Sequence, residues 1–253
     1  MLHHFPKQRP PLDQNIAEIY KQQYQSNRQG DTPAASLAQK VESWLHKQVA
    51  ADVMLEHKSP TTLELGAGTL NQLQYETAGK NYDIVEPFPE LFETSKSLSE
   101  ISSIYSDISE VSNDNRYQRI TSIAVLEHIC NLPEVVARSS LLLAATGRFR
   151  ASIPSEGSPI WALGWKLTTG LEFKLKYGLD YGQLMKHEHV NSAEEIEYVL
   201  RYFFKNVEMK IFGLSRYLSL YQFFNCYNPD LKKCRDYLDD LSKPSIRASR
   251  ILK

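Results

Sequence analysis

Between residues 61 and 154 the chain repeats one rhythm: a short β-prone run, a stop, then a stretch compatible with a helix. The runs fall at 61–65, 83–86, 103–105, 120–125 and 148–153. Helix-compatible stretches at 70–78, 89–98 and 133–143 separate them. Strands spaced this way cannot be joined by tight hairpins, so they run parallel, with their connections covering both faces of the sheet. A further helix over 192–203 and strands at 206–212 and 217–224 complete a doubly wound, mostly parallel α/β sheet of seven strands.

The rhythm is framed by other textures. Ile16, Ile19, Tyr20 and Tyr24 share one face of a helix predicted over 13–27, opened by Asp13 and closed near Gly30. Leu37, Val41, Trp44, Leu45 and Val49 form the stripe of a second helix over 33–53. Residues 1–55 thus read as an N-terminal helical extension and 56–253 as the α/β domain. Within it, 155–190 break the alternation with Trp161, Trp165, Phe173, Tyr177 and Tyr181, and read as a helical insertion capping the ligand edge. From Pro229 the tail is polar, a helix that frays near Pro244.

Composition excludes several classes. A formal net charge of −1, with no basic run, speaks against nucleic acid as a partner. The start of the chain lacks an apolar targeting segment, and no run approaches the roughly 18 apolar residues of a membrane span. Cys130, Cys226 and Cys234 are odd in number and match no metal spacing, which predicts reduced thiols. A soluble, cytoplasmic protein is the expectation.

The chemistry-bearing residues sit at the ends of the predicted strands. In Leu63-Glu64-Leu65-Gly66-Ala67-Gly68-Thr69 an acid at a strand end meets a two-glycine turn. Glycine lets the backbone approach a ligand and adopt dihedrals that other residues avoid. A helix start after the turn, reached through Asn71, offers free N–H groups to a carboxylate. Glu64 can receive an ammonium group. The next strand ends on Glu86-Pro87, where a carboxylate accepts two hydrogen bonds from a ribose diol. Asp107 can accept from an adenine amino group while Ile108 packs on the ring, although Asp after a strand is also an ordinary turn residue. The fourth strand delivers Ala124, Leu126, Glu127 and His128 to the carboxyl edge, where open α/β sheets bind ligands.

Together, Glu64-x-Gly66-x-Gly68, Glu86, the acid at 107 and Val125-Leu126-Glu127-His128 resemble the class I, Rossmann-like methyltransferases, and within them the small-molecule branch with a "VLEH" signature. The similarity covers roughly 61–154. It implies S-adenosylmethionine as cofactor, held by Glu64, Gly66, Ala67, Gly68, Asn71, Glu86, Pro87, Asp107, Ile108, Ala124, Leu126 and Glu127. Two departures stand out. The family's third glycine is Leu70 here, which predicts a turn entering its helix with ordinary dihedrals. Some relatives hold a divalent metal with Glu-x-x-Glu-His, and Ala124 replaces the first carboxylate, so no metal is expected. Asn71 stands where a dinucleotide fold would need its last glycine, which argues against NAD.

Methyl transfer needs alignment, exclusion of water and, for a hydroxyl or protonated amine, a general base. His128 is the first candidate base, and His187 and His189 in Lys186-His-Glu-His-Val190 are the second. A structural role is the alternative for each. The aromatic insertion and the N-terminal helices are expected to build the acceptor pocket, unless the aromatics form a small core of their own. The strings Ile153-Pro-Ser-Glu-Gly157, Asp180-Tyr181 and Glu188-His-Val-Asn191 are similar to methyltransferase-domain proteins of bacterial surface-polysaccharide clusters. That resemblance implies a small-molecule acceptor such as a nucleotide-linked sugar or glycan intermediate. A protein or tRNA methyltransferase, and a non-catalytic binding module, are the alternatives.

Overall fold

The computed structural model describes residues 2–13, 16, 19, 33–56, 59–76 and 81–243, with backbone alone for 33–42 and 55–56. Of the helix predicted over 13–27 only residues 13, 16 and 19 are described, with Ile16 helical and buried; the rest of it, the side chains of Leu37 and Val41, and the tail beyond 243 lie outside the described residues.

Seven strands form one sheet: β1 (Thr62–Leu65), β2 (Tyr82–Val85), β3 (Ser103–Tyr105), β4 (Tyr117–Ile123), β5 (Leu143–Pro154), β6 (Phe204–Ser215) and β7 (Leu218–Pro229). Their order is β3-β2-β1-β4-β5-β7-β6. The first five in this order pair in parallel, and β7 is antiparallel to both β5 and β6. All four β1 residues are buried, as expected of a central parallel strand covered on both faces. The order reverses between β1 and β4. Their connections leave in opposite directions there, which opens a crevice at the carboxyl ends of the strands.

The described α-helices are α1 (Pro33–Glu56), α2 (Leu132–Leu142), α3 (Pro159–Trp165), α4 (Leu171–Tyr177), α5 (Tyr181–Glu188), α6 (Ala193–Phe203) and α7 (Leu231–Ser242). Helices α2, α6 and α7 cover one face of the sheet, with Val136, Leu200, Phe203 and Cys234 fully buried against Phe149 and Phe224. Ser192 caps α6 in a reciprocal pair with Glu195, each side chain bonding the other's backbone N–H. Helix α1 lies on the opposite face, where Leu45 and Val49 meet Ile123 and Phe223. Two buried sheet arginines hold it there: Arg150 donates to the carbonyls of Val49 (2.9 Å) and Gln48 (2.7 Å), and Arg119 to Val49 (3.1 Å). Both also pair with Asp52 of α1. A buried guanidinium with these partners is satisfied, and removing any partner would leave charge stranded.

Two predicted helices are absent from the described residues as such. The 70–78 stretch contains a single 3-10 turn, Asn71–Gln74, and the 89–98 stretch breaks into turns at Pro89–Leu91 and Lys96–Glu100. The cause in the first case is Leu70, which is left-handed (φ 63°) rather than ordinary. The third-glycine position keeps its positive φ without the glycine. Left-handed geometry costs a side-chain-bearing residue about 1–2 kcal/mol, which burial of Leu70 among Ala67, Leu73, Tyr82 and Phe92 offsets. In the second case Ser95 accepts from Ser97 N and starts a separate turn.

The insertion is helical, as expected, with a π-turn at Lys166–Gly170 joining α3 to α4. Its aromatics pack on one another. Phe173 is fully buried against Tyr177 and Tyr181, and Trp165 lies on Tyr181. The outer side carries Leu163, Leu167, Leu171 and Leu175, all exposed. The three cysteines are free thiols; burial pushes Cys234 up to about 11 and Cys226 higher still, which makes both inert. No helix among the described residues is long and apolar enough to cross a membrane.

Candidate active site

A cavity of about 560 Å³ opens at the carboxyl ends of β1, β2 and β4. Glu64, Gly66, Ala67, Gly68, Asn71, Glu86, Pro87, Asp107, Ile108, Ala124 and His128 all line it. Sequence reasoning named these eleven from four separate stretches, and the strand reversal brings them to one volume.

Glu64 marks one wall. Its carboxylate is 3% exposed and accepts from the Tyr82 hydroxyl at 2.8 Å. Burial pushes its pKa up to about 8, the Tyr82 bond opposes the rise, and nearby Glu76 adds to it. Glu76 is tied to Arg119 at 2.7 Å. A pKa of about 8 favours the protonated form of Glu64 at neutral pH, and a cation placed beside it would draw the proton off.

The turn after β1 has the geometry its glycines allow. Gly66 (φ 66°) and Gly68 (φ 53°) are both left-handed, and a Cβ at Gly66 would collide with the side chain of Val125. Glu86 spans the turn, accepting from Gly68 N at 2.8 Å and from Phe88 N at 3.1 Å. Each oxygen thus has one lone pair committed to the backbone and one left for a ligand. The carboxylate is oriented before anything binds. Asp107 caps its turn by accepting from Ser109 N at 2.8 Å, and it lines the cavity as well. Ala124 takes a left-handed φ of 52° as β4 ends, which bends the chain toward the crevice.

His128 stands at the far end. Its Nδ1 lies 3.0 Å from the carbonyl of Glu188 and 3.5 Å from that residue's carboxylate. Burial lowers the imidazole's pKa, but the Glu188 bond and the carboxylates of Glu127 and Glu188 outweigh it and hold the pKa above the usual value. Leu126 and Glu127, expected at the cofactor, do not line the cavity. The short turn Leu126–His128 points both inward, where Leu126 joins the core and Glu127 is 1% exposed. His187 turns away to the Pro10 carbonyl, at 2.7 Å. His189 does not line the cavity either; it lies edge-on behind His128, ring centroids 4.8 Å apart, and contacts Glu156 at 2.7 Å. None of the insertion's aromatics reaches the cavity; from 155–190 only Glu188 does.

Several lining residues had no sequence signal. Arg9, in a segment that reads as irregular, donates to the carbonyls of His128 (2.9 Å) and His187 (2.9 Å) and strings the N-terminus across the site. His46 of α1 contacts Gln72 at 2.8 Å and stacks on Tyr75 beside the glycine turn. Phe88, 56% exposed, offers an aromatic face at the cavity rim. It follows Glu86-Pro87 directly, and an aromatic just after an acid at a strand end is the one signal that could have marked it.

No protein-family model and no curated protein matches the chain. Solved structures do. The plantazolicin methyltransferase BpumL, in complex with a monoazolic desmethylPZN analogue and SAH, superposes with a TM-score of 0.56 at 15% identity, covering 84% of this chain and 92% of that one. A possible histamine N-methyltransferase from Thermotoga maritima gives 0.53 at 12%, covering 84% and 98%. The N-methyltransferase NodS from Bradyrhizobium japonicum, in complex with SAH, gives 0.50 at 17%, covering 81% and 98%. At these identities the likeness concerns the fold. The chain has the Rossmann-like fold of the class I S-adenosylmethionine-dependent methyltransferases.

Proposed function

We propose that this protein is an S-adenosylmethionine-dependent methyltransferase that methylates a hydroxyl or amine of a small molecule. One observation carries the reading: Glu64, the Gly66–Gly68 turn, the pre-oriented Glu86 and Asp107 line a single cavity at the strand reversal. In this reading Glu64 takes the cofactor's ammonium and Glu86 its ribose hydroxyls. Asp107 takes the adenine amino group, with Ile108 and Phe88 against the ring. The SAH bound in BpumL and NodS supports the same cofactor.

When bound, the cofactor would supply an electrophilic methyl group on a sulfonium whose leaving group is a neutral thioether. The acceptor would sit at the His128 end of the cavity, where the nitrogen of His128 not bonded to Glu188 would take the proton that methylation releases. Alignment supplies most of the acceleration, because the leaving group is already good. The insertion's resemblance to surface-polysaccharide proteins supports a sugar-bearing acceptor.

Calorimetric titration with SAH tests the cofactor assignment. Binding in the micromolar range is expected in the wild type, with affinity lost in Gly68→Val. Unchanged affinity in Gly68→Val, or no binding to the folded wild type, would overturn it.

A further inference from the structure

We propose that Glu127, His128 and His189 form a binding site for one divalent transition-metal ion beside the acceptor end of the cavity. The three residues present one ligand atom each, all within 4.8 Å of one another. Glu127 and His128 come from the turn after β4, and His189 from the C-terminal end of α5. The sequence expectation of no metal rested on Ala124 in place of a first carboxylate. A ligand sixty residues downstream replaces it, and no local spacing reveals that.

Three features point to a cation. First, Glu127 Oε2 is buried without a hydrogen-bond partner, and the side chain is 1% exposed. An unpaired buried carboxylate oxygen is costly and calls for a partner, of which an ion is one kind. Second, both imidazoles are anchored through Nδ1: His128 to the Glu188 carbonyl at 3.0 Å, and His189 to Glu156 Oε2 at 2.7 Å. A carbonyl only accepts, and so does an ionised carboxylate, so in the neutral ring each Nδ1 carries the hydrogen and each Nε2 has the lone pair; an arriving cation displaces the proton wherever the ring is charged. Metal-binding histidines are oriented by this kind of outer hydrogen bond. Glu156 is itself held by Trp161 Nε1 at 2.6 Å. Third, His128 Nε2 and Glu127 Oε1 are 3.7 Å apart. That is too far for a hydrogen bond. Metal–ligand bonds of about 2.1 Å set donors roughly 3.0–3.5 Å apart, so this pair is nearly in place, while the three donors together, which spread over up to 4.8 Å, must draw in around the ion.

The scaffold is firm. Asn191 donates from Nδ2 to the carbonyls of Leu126 (2.8 Å) and Ile129 (2.7 Å), and from its backbone N to Glu127 O (3.1 Å). Of the three ligands, His128 is the one that lines the cavity. Two imidazoles and one carboxylate suit zinc, cobalt, iron or manganese, and suit magnesium poorly. A divalent ion held there supplies Lewis acidity to an acceptor oxygen, and His128 then serves as ligand rather than base. Binding of the ion stands apart from the methyl-transfer reading, but its use rests on it.

Titrating the metal-free full-length protein with Co2+ tests this, read by visible absorption and calorimetry. The expected result is one equivalent bound and displaced by Zn2+, but not by millimolar Mg2+. His189→Ala and Glu127→Gln should each weaken Co2+ at least 10-fold. Glu156→Gln, which keeps all three ligands, should weaken it by about 10–100-fold. His187→Ala should leave it unchanged. SAH affinity, measured on the same samples, should stay within about 2-fold in His189→Ala. No Co2+ binding to a wild type that binds SAH would overturn the metal site alone, as would Co2+ binding that survives both ligand replacements. Co2+ bound with this pattern by a protein that ignores SAH would uphold the site and overturn the methyltransferase reading.

Discussion

The loops after β1 and β2 and the insertion at 155–190 are both helix-and-turn coverings at the ligand edge, yet they are built on opposite plans. The first is made of backbone. Its cavity depends on left-handed glycines, on Glu86 bridging Gly68 and Phe88, and on a strand order that no side chain dictates. The second is made of side chains, with Phe173, Tyr177, Tyr181 and Trp165 packed together and leucines turned outward. A site that must meet a fixed cofactor has little freedom in its backbone. A covering that only has to be solid can meet its needs with many sequences.

The contrast makes definite predictions. Gly66→Val attacks the backbone plan at its tightest point, where φ is 66° and Val125 fills the space. It should cost about 3 kcal/mol or more in denaturant unfolding and abolish SAH binding. A variant that melts like the wild type would show that the turn is not constrained. Next comes Glu86→Ala. If Glu86 holds the ribose as proposed, losing those charge-assisted bonds should weaken SAH about 100-fold, or roughly 2.7 kcal/mol. Trp165→Leu, in the insertion, should change the same affinity less than 2-fold. An equal loss from both would erase the division.

Glu64 sharpens the comparison through pH. Its folded pKa of about 8 lies above the ordinary value of 4.5. The raised value contributes stability that is fully present below about pH 4.5 and is lost as pH rises through about 8. The empty protein should therefore grow less stable across that window, and Glu64→Gln should flatten the trend. A ligand ammonium restores the charged carboxylate, so cofactor binding at pH 7 should release close to one proton. Calorimetry in two buffers of different ionisation enthalpy measures this, and no buffer dependence would refute it. The smallest effect belongs to the outer leucines. Leu175, 79% exposed, should tolerate replacement by Ser within about 0.5 kcal/mol.

Legibility followed the same division. Strand positions at 61–65, 83–86 and 103–105 could be read closely because turns and acids punctuate them. The helices expected after β1 and β2 could not, because Leu70's left-handed backbone is set by its burial and not by its own preference. The insertion's aromatics suggested a ligand wall, and the structure uses them as packing instead. Leu126 and Glu127 were expected at the cofactor with the rest of their string, but a three-residue turn decides which way each side chain points.

By itself the sequence determined the parallel α/β sheet, the glycine turn and the acids at the strand ends, because each is imposed by local backbone geometry and short spacing. Tertiary structure alone decided that Arg9 and His46 join the cavity, that α1 is clipped by Arg119 and Arg150, and that His189 meets Glu127 and His128. Those partners are separated by tens of residues or more. Their approach depends on strand order and helix packing, which leave no periodic trace along the chain.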